Sequence, residues 1–176
     1  MAEFPKQFAF PDPLVHVNNY NANSIGGPLS SQAYSPGLWP SANRALFVPF
    51  RISRPFIIST LYWVNGNAVS GNIDIGIYSS DGTKIISKGS TAQATTNVLQ
   101  SVSVTSTEIG AGLFYIGIAV DNTSASLSSI STNSNLLKII GCAQMASAFT
   151  LPATATFATV SSSYLPMVGA TGRSVV

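Results

Sequence analysis

Ile73, Ile75 and Ile77 alternate with Asn72, Asp74 and Gly76. A period of two places the isoleucines on one face of a pleated strand and the polar residues, with Tyr78, on the other. Asp81-Gly82 supplies a tight reversal and Lys84-Ile-Ile-Ser87 starts back, which predicts a hairpin. Leu113–Val120 repeats the alternation, with Phe114, Ile116, Ile118 and Val120 sharing a face. Phe56–Val64 is a long run of β-branched and aromatic residues, and Ala45–Val48 is a shorter one. Val98–Val104 predicts a further strand with Val102 and Val104 inward and Ser101 and Ser103 outward. Leu136–Ile140 reads as one more short strand, and Thr154–Val160 alternates around Phe157. Asn65-Gly66 is a hairpin dipeptide, and Gly110-Ala-Gly112 is a turn. Short strands with turn signals at this spacing predict an all-β fold, an antiparallel sandwich or jelly roll.

Proline, which cannot donate to a sheet ladder, divides the chain. Eight of the ten lie at or before Pro55 and the other two are Pro152 and Pro166, so the proline-free middle reads as sheet body. The expected organisation is an extended N-terminal arm over 1–43, a β-sandwich body over 44–143 and a C-terminal strand or extended tail over 144–176. The arm has no sustained period, yet it carries Phe4, Phe8, Phe10, Tyr34 and Trp39. A disordered tail is usually poor in such residues. The arm is therefore expected to lie on a surface, either of its own domain or of a neighbouring chain, with these five residues as the assembly contacts.

Charge changes the picture. Only 8% of the 176 residues are charged while 45% are hydrophobic, against about 25% charged in an average domain. Such a chain must cover itself with Ser, Thr, Asn and Gly, or with neighbours; the second is the expectation. A net charge of +2 is too small and scattered for a nucleic-acid footprint. Arg44, Arg51 and Arg54 form the one local basic cluster and suit a strand edge or subunit contact. The single cysteine, Cys142, excludes an intrachain disulfide and a cysteine-built zinc site and reads as a small buried residue. No apolar run approaches the roughly 20 residues that cross a bilayer, and the first residues lack the pattern of a secretory signal. The expectation is synthesis in a cytosol, with no membrane partner.

Candidate chemistry is sparse. The one histidine, His16, lies in the arm without a nucleophile signature near it. Asp74 is the only mid-strand acid; pairing it with Glu108 would give a glycosidase-like arrangement. Asp81, Asp121 and Asn122 lack the dense alternation of a calcium loop. Asn122-Thr-Ser124 matches a glycosylation sequon. Tyr62, Trp63 and Tyr78, with Asp74 beside them, form a candidate ligand platform of the kind that sugar-binding sandwiches present. No catalytic residue, metal ligand or cofactor is expected.

The segments Phe47-Val-Pro-Phe-Arg-Ile52, Leu61-Tyr-Trp-Val-Asn-Gly66, Ser70-Gly-Asn-Ile-Asp-Ile-Gly-Ile-Tyr-Ser-Ser-Asp-Gly82, Gly89-Ser-Thr-Ala-Gln93 and Gly112-Leu-Phe-Tyr-Ile-Gly-Ile-Ala119 carry a resemblance. Over residues 44–125 the chain resembles a β-sandwich domain of tailed-bacteriophage structural proteins, found in tail fibres, minor tail proteins and head-surface proteins. The resemblance implies a non-enzymatic virion protein, assembled in the bacterial cytoplasm. It would attach to the head or tail through its arms and contact other virion proteins and copies of itself, with a trimer as the expected oligomer. The alternative is a carbohydrate- or receptor-binding module of a tail fibre, whose partner would be a host surface glycan. The family pattern carries no catalytic residues, and residues 1–43 and those after 143 lie outside it.

Overall fold

The structure, a computed structural model, describes residues 7–9 and 35–175, with side chains described from 35 to 173 and at 175. The described residues form fourteen strands and one short helix, in chain order. They are β1 (Gln7–Ala9), β2 (Ser35–Leu38), β3 (Ala45–Ile52), β4 (Phe56–Val64), β5 (Asn72–Ser79), β6 (Lys84–Ser87) and β7 (Thr91–Ala92). After these come β8 (Leu99–Ile109), β9 (Gly112–Val120), β10 (Ser126–Ser131) and helix α1 (Ser134–Ile139). The last four strands are β11 (Ala143–Met145), β12 (Ala158–Thr159), β13 (Tyr164–Pro166) and β14 (Val168–Ser174).

The fold is the antiparallel all-β sandwich that the alternation predicts. One sheet has the order β1-β14-β4-β8; the facing seven-stranded sheet runs β12-β11-β3-β9-β5-β6, with β7 also on β5. A small third sheet, β13-β10-β2, closes one end and touches β4 through the Asn65–Leu127 bridge. Ile73, Ile75 and Ile77 of β5 and Ile116 and Ile118 of β9 meet Leu61 and Trp63 of β4 in one buried cluster. Burying side chains of this size contributes about 1.5–3 kcal/mol each.

Successive strands mostly change sheet. The Asn65-Gly66 dipeptide joins β4 of the first sheet to β5 of the second, so it is a crossover and not the expected hairpin turn. Gly110-Ala-Gly112 likewise carries β8 of one sheet into β9 of the other. The Asp81-Gly82 hairpin forms as predicted. Gly82 sits at φ 88° and its N–H donates to the Ser79 carbonyl at 3.0 Å, a type I turn closed by a left-handed glycine. The Asp81 carboxylate accepts from the Ser79 hydroxyl and the Thr83 amide.

Prolines within strands sit where no ladder partner needs an amide. Pro36 and Pro166 lie on the two edge strands of the small sheet. Pro49 lies beyond the part of β3 that β11 pairs, which spans Ala45–Phe47.

Two further expectations need correction. Leu136–Ile140 is not a strand but most of helix α1 and its C-cap. The Asn133 side chain caps the first turn, accepting from Asn135 N–H at 2.8 Å. At the other end Gly141, at φ 85°, donates to Lys138 O and Cys142 N–H donates to Leu137 O. That pair of bonds is a Schellman closure. Residues 144–175 do hold a C-terminal strand, but they are not an extended tail. β14 lies in the interior of the first sheet between β1 and β4. The stretch before it covers the outer face of the second sheet: Ala148, Leu151 and Ala155 pack on Phe47, Tyr78 and Ala119. Phe157 packs against Tyr115 with the rings tilted and their centroids 4.5 Å apart. Both faces of β5 are consequently buried, six of its eight residues fully.

Candidate functional site

The four residues of the expected ligand platform are inside the molecule. Trp63 and Tyr78 are 0% exposed, Asp74 1% and Tyr62 2%. Asp74 and Tyr78 do share the face opposite the isoleucines, but residues 148–157 cover it. The Asp74 carboxylate accepts the amides of Gly89 at 3.0 Å and Leu151 at 2.9 Å. The Tyr78 hydroxyl donates to Pro152 O at 2.6 Å, and the Lys84 ammonium to Leu151 O at 2.7 Å. These side chains fasten the covering segment to the sheet. Burial raises the Asp74 pKa above the usual carboxylate value, against those amides and the Lys84 charge. Burial and Asp74 also push the Tyr78 hydroxyl upward.

Trp63 and Tyr62 fall on opposite faces of β4. A register shift between Ile58 and Thr60 moves the inward positions from Phe56 and Ile58 to Leu61 and Trp63. The Trp63 indole donates to Asn65 Oδ1 at 2.8 Å, and Tyr62 lies across Gly169, where an added Cβ would strike its ring.

The residues that carry the sequence resemblance hold junctions together. Asn65, fully buried, donates from Nδ2 toward Ala94 O, Thr95 O and Gln100 Oε1. Gln93 donates to Asn65 Oδ1 at 3.1 Å and to Ser126 O at 2.8 Å, and accepts from Ser70 N–H. Asp121 accepts from the amide and side chain of Asn72 and from Asn122. Despite the cost of burial, those hydrogen bonds hold its carboxyl below the usual range. The sequon residue Asn122 donates to Ser70 O and accepts from the amides of Ser124 and Ala125.

The expected assembly contacts divide. Phe4, Phe10 and Tyr34 lie outside the described residues, as does His16. Trp39 is a core residue and not an arm contact: it is 1% exposed, its indole donates to Arg44 O, and it meets Tyr164 edge-on at 5.5 Å. β2 and Trp39 thus belong to the body, so the body begins by residue 35 and not at 44. Phe8 lies in β1, opposite Thr171 of β14, with Gln7 opposite Gly172 and Ala9 opposite Ala170.

Among the described residues no group of three or more His, Cys, Asp or Glu gathers to hold a metal. Glu108 lies on β8 of the first sheet, whereas Asp74 sits under the cover on the outer face of the second, so the two do not form a pair. The Cys142 thiol is partly buried, and burial pushes it up to about 12. Among the described residues no helix is long and apolar enough to cross a membrane.

The surface is built largely of small polar residues, as on β8, where Ser101, Ser103 and Ser106 are exposed. Large apolar side chains are exposed at Leu38, Val69, Val98, Leu99 and Ile139. Much of the charge deficit of the body is therefore met by hydroxyls and by a core on both faces of one sheet. The remaining candidate site is the β14 edge, where the arm enters the sheet. Its receiving residues, Ala170-Thr-Gly172, show no alternation of large apolar residues that would have marked them in the sequence. No family model, curated protein or solved structure matches the chain.

Proposed function

We propose that the protein is a non-enzymatic structural protein of a tailed-phage virion, attached to the head or tail surface through its N-terminal arm. The reading rests on the likeness of residues 44–125 to phage sandwich domains and on one structural observation. The arm joins the sandwich as an added strand, β1 on the outer edge of β14. Strand addition recognises main chain more than side chain, which suits a protein with few charges to spend on recognition. The glycan-binding alternative loses its basis, because the rings and carboxylate proposed to meet the sugar are buried.

The test is a phage carrying this gene with residues 1–34 deleted, a cut that leaves β2 and Trp39 in place. Particles purified from infected cells should lack the truncated protein, while the isolated truncated chain still unfolds cooperatively. Wild-type occupancy of the truncated chain on the particles would refute the assignment.

A further inference from the structure

We propose that the β14 edge is a docking site for β1 of a second copy of this chain, so that neighbouring copies exchange N-terminal strands. The inference rests on the arm-mediated assembly proposed above and names its partner.

Three features carry it. First, among the described residues β1 pairs with β14 and with no other strand, over Gln7–Ala9. Second, the β14 residues opposite β1 are small: Ala170, Thr171 and Gly172. An incoming strand there reads backbone groups, and an identical strand from another copy offers the same groups in the same register. Third, β1 ends at Ala9 and β2 begins at Ser35. A connection of that length reaches roughly 80 Å when extended, about twice the diameter of a compact domain of this size. The strand can therefore reach the equivalent edge of an abutting copy without any change in the body. Exchange of an identical element replaces one intrachain ladder by the same ladder between chains, a low-cost route to assembly. In an array, where copies are held close, the local concentration of foreign β1 strands favours the exchanged form.

The register makes this testable. In a Cys142→Ala background, one full-length copy carries Phe8→Cys with one affinity tag and a second carries Thr171→Cys with another. The two are co-expressed, purified through both tags in turn and oxidised with glutathione disulfide. Exchange predicts a disulfide-linked heterodimer on non-reducing gels that disappears on reduction. A chain carrying both substitutions is the companion measurement: exchange predicts linked dimers and higher species. Cross-linking of that chain only as a monomer, with no heterodimer in the mixture, overturns the proposal. Absence of any cross-link in both overturns it too, since β1 would then not pair with β14. If occupancy of particles still depends on residues 1–34 while no heterodimer forms, the arm binds a different virion protein. Strand exchange then falls and the proposed function stands.

Discussion

The indole N–H of Trp63 donates to the side-chain oxygen of Asn65, 2.8 Å away and shut off from solvent. Asn65 is the polar centre of the molecule. Its backbone amide donates to Val98 O, and its side chain joins the β4 end to the loop before β8. A buried polar group left without a partner costs about 1–3 kcal/mol. Asn65→Ala strands the Trp63 indole together with carbonyls of the Ala94–Thr95 loop. The expected loss is about 2–4 kcal/mol. Urea unfolding followed by tryptophan fluorescence should show a lower midpoint at unchanged slope. A midpoint equal to wild type would mean that water replaces the side chain.

Asp74 makes stability depend on pH in a direction unusual for an aspartate. Its folded pKa is raised by burial. The folded state therefore holds the proton more tightly than the unfolded chain. The contribution of protonated Asp74 is fully present below its unfolded pKa and is lost as pH rises through the folded value. Asp81 and Asp121 act oppositely, since their hydrogen bonds lower their pKa values. Their contribution is present above the unfolded value and is lost as pH falls through the folded one. Asp74→Asn should remove the decline with rising pH and leave the acid-side loss intact. Parallel unfolding curves for wild type and variant across that window would contradict this account.

Gly82 and Gly89 separate backbone strain from crowding. Both have positive φ, 88° and 81°, but a Cβ on Gly82 would strike Ala155 O, whereas nothing lies within 4 Å at Gly89. Gly89→Ala should cost about 1–2 kcal/mol, the left-handed penalty alone. Gly82→Ala adds a backbone clash worth roughly 1–3 kcal/mol more. It should also loosen the covering segment, visible as faster amide exchange at Ala155, which donates to Gly82 O. Equal costs at the two sites would show that the segment yields freely.

The two ends of the chain should respond differently to removal. Deleting residues 144–176 takes away β14 and uncovers Phe47, Tyr78 and Asp74. Loss of cooperative unfolding and rapid proteolysis are expected. Deleting residues 1–34 removes, among the described residues, the edge strand Gln7–Ala9 and should lower the melting temperature only slightly. A stable, protease-resistant fragment ending at residue 143 would disprove the integral role of the C-terminal segment.

Alternation in Asn72–Ser79 and Gly112–Val120, the Asp81-Gly82 turn and the placing of the prolines settle the fold class from local stereochemistry alone. The α1 signals were also local, an Asn133 cap and a Gly141 closure, and were obscured by the short apolar run between them. What lies on the second face of β5 could not be read locally. A period of two says that Asp74 and Tyr78 face away from the isoleucines, but not whether water or protein meets them. That depends on residues 148–157, more than seventy positions along the chain in the Asp74–Leu151 contact. The same holds for β4, where a bulge set by pairing with β8 reassigns which side of the strand points inward. Period and turn chemistry act between neighbours in sequence. Burial is decided by whichever distant segment finds the face, and only the folded chain brings that segment there.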